Sequence, residues 1–136
     1  MKLDIALRAL GCALMICLAG CASSFEKPNY APADWGPEPV GYETTIKTSF
    51  EAVLKDPESA RYRFEKPMRA YKNDGLIRGG KVIWVGYLVP VYVNAKNGFG
   101  GYTGFKRYSA LLNHSGGVFE LHEGNGAPLV TVMPQY

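Results

Sequence analysis

His114 and His122 are the only imidazoles in the 136-residue chain, and Glu120 and Glu123 bracket the second of them. An imidazole beside carboxylates is material for general acid–base work or for holding a divalent metal. Neither histidine has a second ligand at metal spacing, so a site would need Glu120 or Glu123 and at least one further ligand from elsewhere. Beyond Asp4 the aspartates are Asp34, Asp56 and Asp74, which sit beside Trp35, Pro57 and a turn, and no Ser/His/Asp set stands out. These residues read as an exposed turn histidine and a strand histidine. No enzyme activity, metal or cofactor is expected from them.

A more unusual stretch is residues 94–104, NAKNGFGGYTG, which holds four glycines in eleven residues. Gly98, Gly100, Gly101 and Gly104 permit positive φ and close backbone approach, and successive amides can then form an anion-binding concavity. The order G-x-x-x-x-G-K-[ST] of a phosphate loop is missing, and the stretch joins two β-like runs where a strand and a helix are required. Two readings stand. The glycines serve the tight turns of a wide hairpin, or the loop displays Asn94, Lys96, Asn97, Phe99 and Tyr102 to a protein partner. A second basic group, Arg61, Arg63, Lys66, Arg69 and Lys72, is interleaved with Glu65 and Asp74 and reads as a solvated sheet face.

The elements that must position these residues begin after an export signal. Lys2 and Arg8 bracket a short basic region, and residues 9–19 are apolar but about half the length needed to cross a hydrocarbon core of roughly 30 Å. The run ends in Leu18-Ala19-Gly20-Cys21, which resembles the lipobox of bacterial lipoproteins, whose cysteine is lipidated and becomes the first mature residue. One acyl chain binds a membrane only marginally, whereas several hold it stably. The resemblance implies a covalent lipid on Cys21 and anchorage to a membrane. Ala22 and Ser23 follow where an aspartate would retain the protein in the inner membrane, so the outer membrane is expected, with the folded part facing the periplasm.

Cys12 and Cys17 leave with the leader, so the mature chain has neither a free thiol nor a possible disulfide. Its stability must come from a core. The 15 basic and 12 acidic residues lose Lys2, Arg8 and Asp4 with the leader, which leaves 13 and 11 and a net charge of +2. That balance gives no argument for nucleic acid.

Residues 21–41 carry Cys21 and four prolines (Pro28, Pro32, Pro37, Pro39) with no regular apolar period, and read as an extended tether. At roughly 3.1 Å per residue it reaches up to about 60 Å from the lipid. Tyr30 and Trp35 within it can instead dock on the domain or a partner. Residues 42–136 then form one small α+β domain.

Ile46, Phe50, Val53 and Leu54 make one apolar stripe on an amphipathic helix over residues 42–56, with Thr44 or Thr45 as its cap. Asp56-Pro57 ends it in a short helical corner. Residues 61–66 alternate as a half-buried strand, Pro67 interrupts it, and residues 68–71 continue as a second piece or an edge. Residues 81–94 are apolar on both faces, so they predict a central strand covered on both sides. Fourteen residues exceed a typical strand, so Gly86 or Pro90 should mark a bulge or break. Residues 105–112, 118–122 and 129–133 complete the sheet. The expected fold is one N-terminal amphipathic helix packed on a single, mainly antiparallel sheet of about four to six strands.

Residues 56–64 (DPESARYRF) and 93–108 (VNAKNGFGGYTGFKRY) together resemble a group of small bacterial envelope proteins with a D-P-x-S-A corner and an N-A-K-N-x-x-G-G-Y-x-G loop. The resemblance implies the envelope class and carries no activity with it. The leading expectation is a non-catalytic binding or assembly module for an envelope protein partner. The alternatives are an enzyme or enzyme inhibitor acting on cell-wall glycan through Glu120, His122 or Glu123, and a purely structural lipoprotein. Replacing Cys21 by serine is expected to abolish incorporation of labelled fatty acid into the expressed protein, and labelling that persists would refute the lipobox reading.

Overall fold

The computed structural model of the chain describes residues 24–28 and 35–134. The leader, the lipobox and Cys21 lie outside the described residues, as do Tyr30 and Asp34.

Among the described residues one α-helix, α1 (Tyr42–Glu51), lies against a six-stranded antiparallel sheet. Ile46 and Phe50, four residues apart and therefore on one face, are both fully buried. The helix opens well inside the chain and differs from expectation at both of its own ends. Its cap is Gly41 in the left-handed region (φ 71°) with no side-chain hydrogen bond, so neither Thr44 nor Thr45 caps it. It stops at Glu51, because the chain tightens into a turn in which Val53 and Leu54 both donate to Phe50 O. Val53 thereby leaves the apolar stripe and is exposed, while Leu54 still packs against the core.

The corner forms as expected. Pro57 starts a single 3-10 turn (Pro57–Ser59), Asp56 Oδ1 accepts from Ser59 N–H (3.2 Å), and Ser59 Oγ donates back to Asp56 O (2.9 Å).

The strands are β1 (Arg61–Phe64), β2 (Met68–Asn73), β3 (Val82–Asn94), β4 (Lys106–Leu112), β5 (Val118–Glu123) and β6 (Val130–Val132). The sheet order is β5-β4-β3-β2-β6, with β1 also paired to β3. β1 and β2 occupy the same flank of β3 in succession: β1 lies opposite Val91–Asn94, and β2 opposite Val82–Leu88. Residues 68–73 are thus interior, held between β3 and β6, and not an edge.

The expected interruption of the long strand falls elsewhere. β3 runs unbroken through Gly86 and Pro90, and the break is in its partner, between β1 and β2 at Pro67. Pro90 O accepts from Glu65 N–H at that gap (2.9 Å). In an antiparallel ladder a residue's N–H and C=O point to the same neighbour, so the donor that Pro90 lacks would have faced the gap. A bulge does exist in β3, but at Ile83: Lys72 pairs with Trp84 and Asn73 with Val82, which leaves Ile83 over.

Both faces of β3 are buried, as its composition implied. On one face Tyr87, Val89, Val91 and Val93 meet Ile46 and Phe50 of α1 together with Ala110 and Leu112. Aromatic rings complete this layer, with Phe50 edge-on to Tyr108 (centroids 4.9 Å apart) and tilted against Tyr62 (5.9 Å). On the other face Trp84 and Leu88 pack with Ala70, Leu111 and Ala127. Ala127 belongs to the connection of residues 124–129, which carries the chain from β5 at one edge to β6 at the other. Its course is fixed at the middle by Gly126 N–H donating to the buried Ser109 Oγ (3.1 Å).

Residues 35 and 36, at the described end of the proline-rich segment, are docked on the domain. Trp35 is 2 % exposed, its carbonyl accepts from His114 Nδ1 (2.8 Å), and Gly36 O accepts from Tyr87 Oη (2.7 Å). An aromatic in the expected tether is therefore part of the packed unit.

Gly86 is required by close approach: a Cβ built there would lie 2.1 Å from Leu112 O and 2.8 Å from Trp84 Cζ2. Gly86→Ala is accordingly expected to cost about 1–3 kcal/mol in urea unfolding. Gly75→Ala, where an added Cβ meets nothing within 4 Å, should stay within about 0.5 kcal/mol of the parent.

Candidate functional site

At the far end of β3 the glycine loop is a stapled hairpin. Lys96 and Tyr102 form an isolated antiparallel bridge, Asn97 N–H donates to Gly101 O (2.8 Å), and Gly100 N–H donates to Asn97 O (3.0 Å). Asn97 Oδ1 accepts from both Phe99 N–H (2.9 Å) and Gly101 N–H (3.1 Å), while Asn94 Oδ1 accepts from Gly104 N–H (3.1 Å). Gly100 and Gly104 adopt φ 80° and 95°, a region that favours glycine. The loop is also docked on the Pro57 corner, since Lys96 N–H donates to Ser59 Oγ (3.0 Å) and Tyr102 Oη to Ser59 O (3.1 Å).

The five residues singled out from the sequence thus divide by task. Asn94 and Asn97 hold the loop together. Lys96 and Tyr102 fix it to the corner, and the Lys96 ammonium lies 5.7 Å from the Tyr102 ring centre. Phe99 is 98 % exposed at the tip, with its backbone held by Asn97.

Around this loop the structure gathers cations that are scattered in the sequence. Arg61 stands over the Tyr102 ring (4.6 Å to the centroid), Arg63 over Phe105 (4.1 Å), and Arg107 near Tyr92 (5.7 Å). The register explains the grouping: Arg63 pairs with Tyr92, and Tyr92 with Arg107, so the three lie side by side on one face of β1, β3 and β4. Arg107 Nη1 donates to Asn125 Oδ1 (3.1 Å), and its buried Nε lacks a partner. Among the described residues no carboxylate lies within ion-pair distance of Arg61, Arg63, Lys96 or Arg107. Guanidinium groups stacked on rings keep their in-plane N–H donors available for a carboxylate or phosphate fork.

On the opposite face a cleft of about 310 Å³ separates the end of α1 from the loop, lined by Val53, Leu54, Lys55, Lys96, Lys106 and Tyr108. Lys106 pairs with Glu123 (3.2 Å), and Tyr108 Oη donates to the same carboxylate (3.3 Å). Burial first, and then the Glu123 charge, raise the Tyr108 hydroxyl above its ordinary pKa, with Lys106 opposing, so it stays a donor.

Sequence reasoning did not find Arg107, Tyr92 and Phe105, and it set Arg61 and Arg63 aside as a solvated face. The signal that would have found them is cross-strand register, which links Arg63 to Tyr92 and Tyr92 to Arg107 although they are far apart in the chain. Lys72, from the same basic group, behaves differently and forms an ion pair with Glu120.

Of the polar residues considered for chemistry on glycan, Glu120 and His122 come together on one face of β5 and Glu123 lies on the other. Glu120 is engaged by Lys72, and His122 Nδ1 lies 3.9 Å from its other oxygen. Glu123 pairs with Tyr108 in the ladder and Glu120 with Leu111, which puts the two carboxylates on opposite faces of β5. His114 is held by the Trp35 carbonyl. Among the described residues no group of three His, Cys, Asp or Glu is placed to hold a metal ion, and no helix is long and apolar enough to cross a membrane.

No family model, curated protein or solved structure matches the chain. The site therefore rests on its own geometry.

Asn97→Ala removes one acceptor shared by two backbone amides, so the tip should loosen while the sheet stays intact. Amide hydrogen exchange is expected to accelerate at residues 99–101 with little change in β3 and β4, and uniform protection across the tip would show that the glycine turns hold it without Asn97.

Proposed function

We propose that the chain is a bacterial lipoprotein, anchored through lipid on Cys21 to the outer membrane, whose periplasmic domain is a non-catalytic binding module for a second envelope protein. The observation that carries the binding reading is the contrast within one loop. Its backbone is stapled at six hydrogen bonds between Asn94, Asn97, Gly100, Gly101, Phe99, Gly104 and the Ser59 corner, yet it presents a large aromatic ring wholly to water. A hairpin needing only to turn the chain has no use for an exposed phenylalanine on a stiffened tip, whereas a buried aromatic anchor is the commonest source of binding energy at protein interfaces.

The cations beside the tip give the partner its chemistry. Arg61, Arg63, Arg107 and Lys96 favour an acidic surface that supplies carboxylates to the stacked guanidinium groups, with an apolar pocket for Phe99 at its centre. Lipobox, periplasmic placement and a non-catalytic role are part of the proposal, supported by the order of basic, apolar and Leu18-Ala19-Gly20-Cys21 segments and by the separation of Glu123 from Glu120 and His122 across β5.

A photo-crosslinking residue at position 99 of the full-length protein should capture a discrete partner in intact cells. Adding Lys96→Ala and Arg63→Ala to the same protein should abolish that adduct without changing the amount of folded protein. An adduct of undiminished yield would defeat the assignment of this end as the binding surface.

A further inference from the structure

The described N-terminal segment, residues 24–28, is strapped to the opposite end of the domain. Glu26 N–H donates to Gly80 O (2.8 Å), Glu26 O accepts from Asn73 Nδ2 (2.8 Å), and Glu26 Oε2 accepts from Val82 N–H (2.8 Å). Asn73 is 3 % exposed and its Nδ2 also donates to Gly80 O (2.9 Å), so one buried amide ties the strap to the turn between β2 and β3. Gly80, at φ 67°, is pressed against the strap: an added Cβ would stand 3.0 Å from Ser24 O and 3.2 Å from Phe25 Cα.

Ser24 is three residues from Cys21, which is no more than about 10 Å of chain. A tether that reaches tens of ångströms is consequently not available to the domain while the strap is docked. The end of the fold that carries the β2–β3 turn must lie beside whatever Cys21 is attached to.

That end has an unusual surface. Ile77 is 103 % exposed at the tip of a 3-10 turn (Leu76–Arg78), and Leu76, Ile83 and Phe25 are exposed near it. Exposed apolar residues scattered singly are ordinary, but here four large ones occur at the end where the strap delivers the chain. Lys27, Arg78 and Lys81 are exposed among them, and among the described residues none has a carboxylate within ion-pair distance. An apolar tip with a rim of cations suits the boundary between lipid headgroups and acyl chains, where the apolar part leaves water and the cations meet headgroup phosphate.

We infer that the β2–β3 turn is a membrane-contact surface, seated in the headgroup region of the bilayer that holds the acylated Cys21, with Ile77 as its deepest residue. The inference rests on the lipidation of Cys21 proposed above. It gives the domain an orientation that a flexible tether would not. β3 has 13 residues and rises about 3.3 Å per residue, so its other end, with the glycine loop, stands up to roughly 40 Å further from the bilayer. The strap sets one end of the strand on the lipid and leaves Phe99 directed away from it.

The mature chain has no free thiol once Cys21 is acylated, so Ile77→Cys and Phe99→Cys each introduce a single labelling site. The full-length lipoprotein carrying an environment-sensitive fluorophore at one or the other is reconstituted into vesicles of phosphatidylethanolamine and phosphatidylglycerol, and the mass of the Cys21 peptide is recorded on the same sample. The position-77 probe is expected to emit at shorter wavelength and to be quenched several-fold more by nitroxides on the acyl chains than the position-99 probe. Equal, water-like emission from both probes in protein of acylated mass would overturn the membrane-contact surface and leave the anchor standing. A peptide of unmodified mass would overturn the anchor and the contact surface together. Lys81→Glu combined with Arg78→Glu, in acylated protein, should reduce the quenching at position 77 if headgroup phosphates hold the rim, and unreduced quenching would remove the cations from the assignment.

Discussion

Three of the other five strands, β1, β2 and β4, hydrogen-bond directly to β3, and both buried clusters are built on its two faces. The controlling constraint is that a strand apolar on both sides must be covered on both. The chain meets it asymmetrically. One face takes an amphipathic helix, the ordinary solution for a half-buried sheet. The other takes the connection between β5 and β6, whose Ala127 is small enough to lie over Trp84 and Leu88. No cysteine lies among the described residues, so within them these two layers and the ladder hydrogen bonds carry the stability.

The length of β3 creates a second constraint. No single neighbour matches all of it on the β1–β2 side, and the interruption at Pro67 divides that flank into two short strands. Pro90 is compatible with a central strand only because of this division, since the donor it lacks would have pointed into the gap where Glu65 supplies a single bond. One proline in the partner and one in the strand are thus parts of the same local arrangement. At the near end, the bulge at Ile83 shifts the register by one residue and turns an apolar side chain outward. Beside the same bulge Val82 N–H donates to Glu26 Oε2 and Asn73 Nδ2 to Gly80 O, so the strap docks where the register shifts.

Much of this was legible in the residues. The apolar double face of 81–94, the Asp56-Pro57-Ser59 corner and the succession of strands along the chain follow from periodicity and turn chemistry, which are local. What could not be read is non-local. The Gly86 close approach depends on Leu112 O and the Trp84 ring; the burial of Trp35 depends on Tyr87 and His114; the grouping of Arg63 with Arg107 depends on register through Tyr92. The helix ends were misjudged for a different reason. A glycine in the left-handed region replaced the expected threonine cap, and propensity does not tell which of several adjacent residues will take that role. Of the candidate site, the loop itself was visible as a run of glycine and asparagine. Its cationic surround was not, because interleaved Glu65 and Asp74 made the basic residues look neutralised in sequence although neither carboxylate comes within ion-pair distance of Arg61 or Arg63.

The way those arginines are held bears on why the proposed binding end needs a stiff loop. An exposed ion pair contributes about 0–1 kcal/mol and occupies the guanidinium donors it uses. Stacking on a ring contributes about 0.5–1 kcal/mol at an exposed site and leaves those donors free. Arg61 and Arg63 are therefore oriented without being consumed, and the rings that orient them, Tyr102 and Phe105, belong to or adjoin the loop that Asn94, Asn97 and Ser59 immobilise. Ordering each such side chain on association would otherwise cost about 0.5–1.5 kcal/mol. A loop already fixed to the corner has met that cost in folding, where it is offset by the hydrogen bonds of the hairpin. In the proposed binding role the two asparagines would act without touching a partner, because loosening them would release the tyrosine on which an arginine rests and return its guanidinium to the rotamers of an unsupported surface side chain.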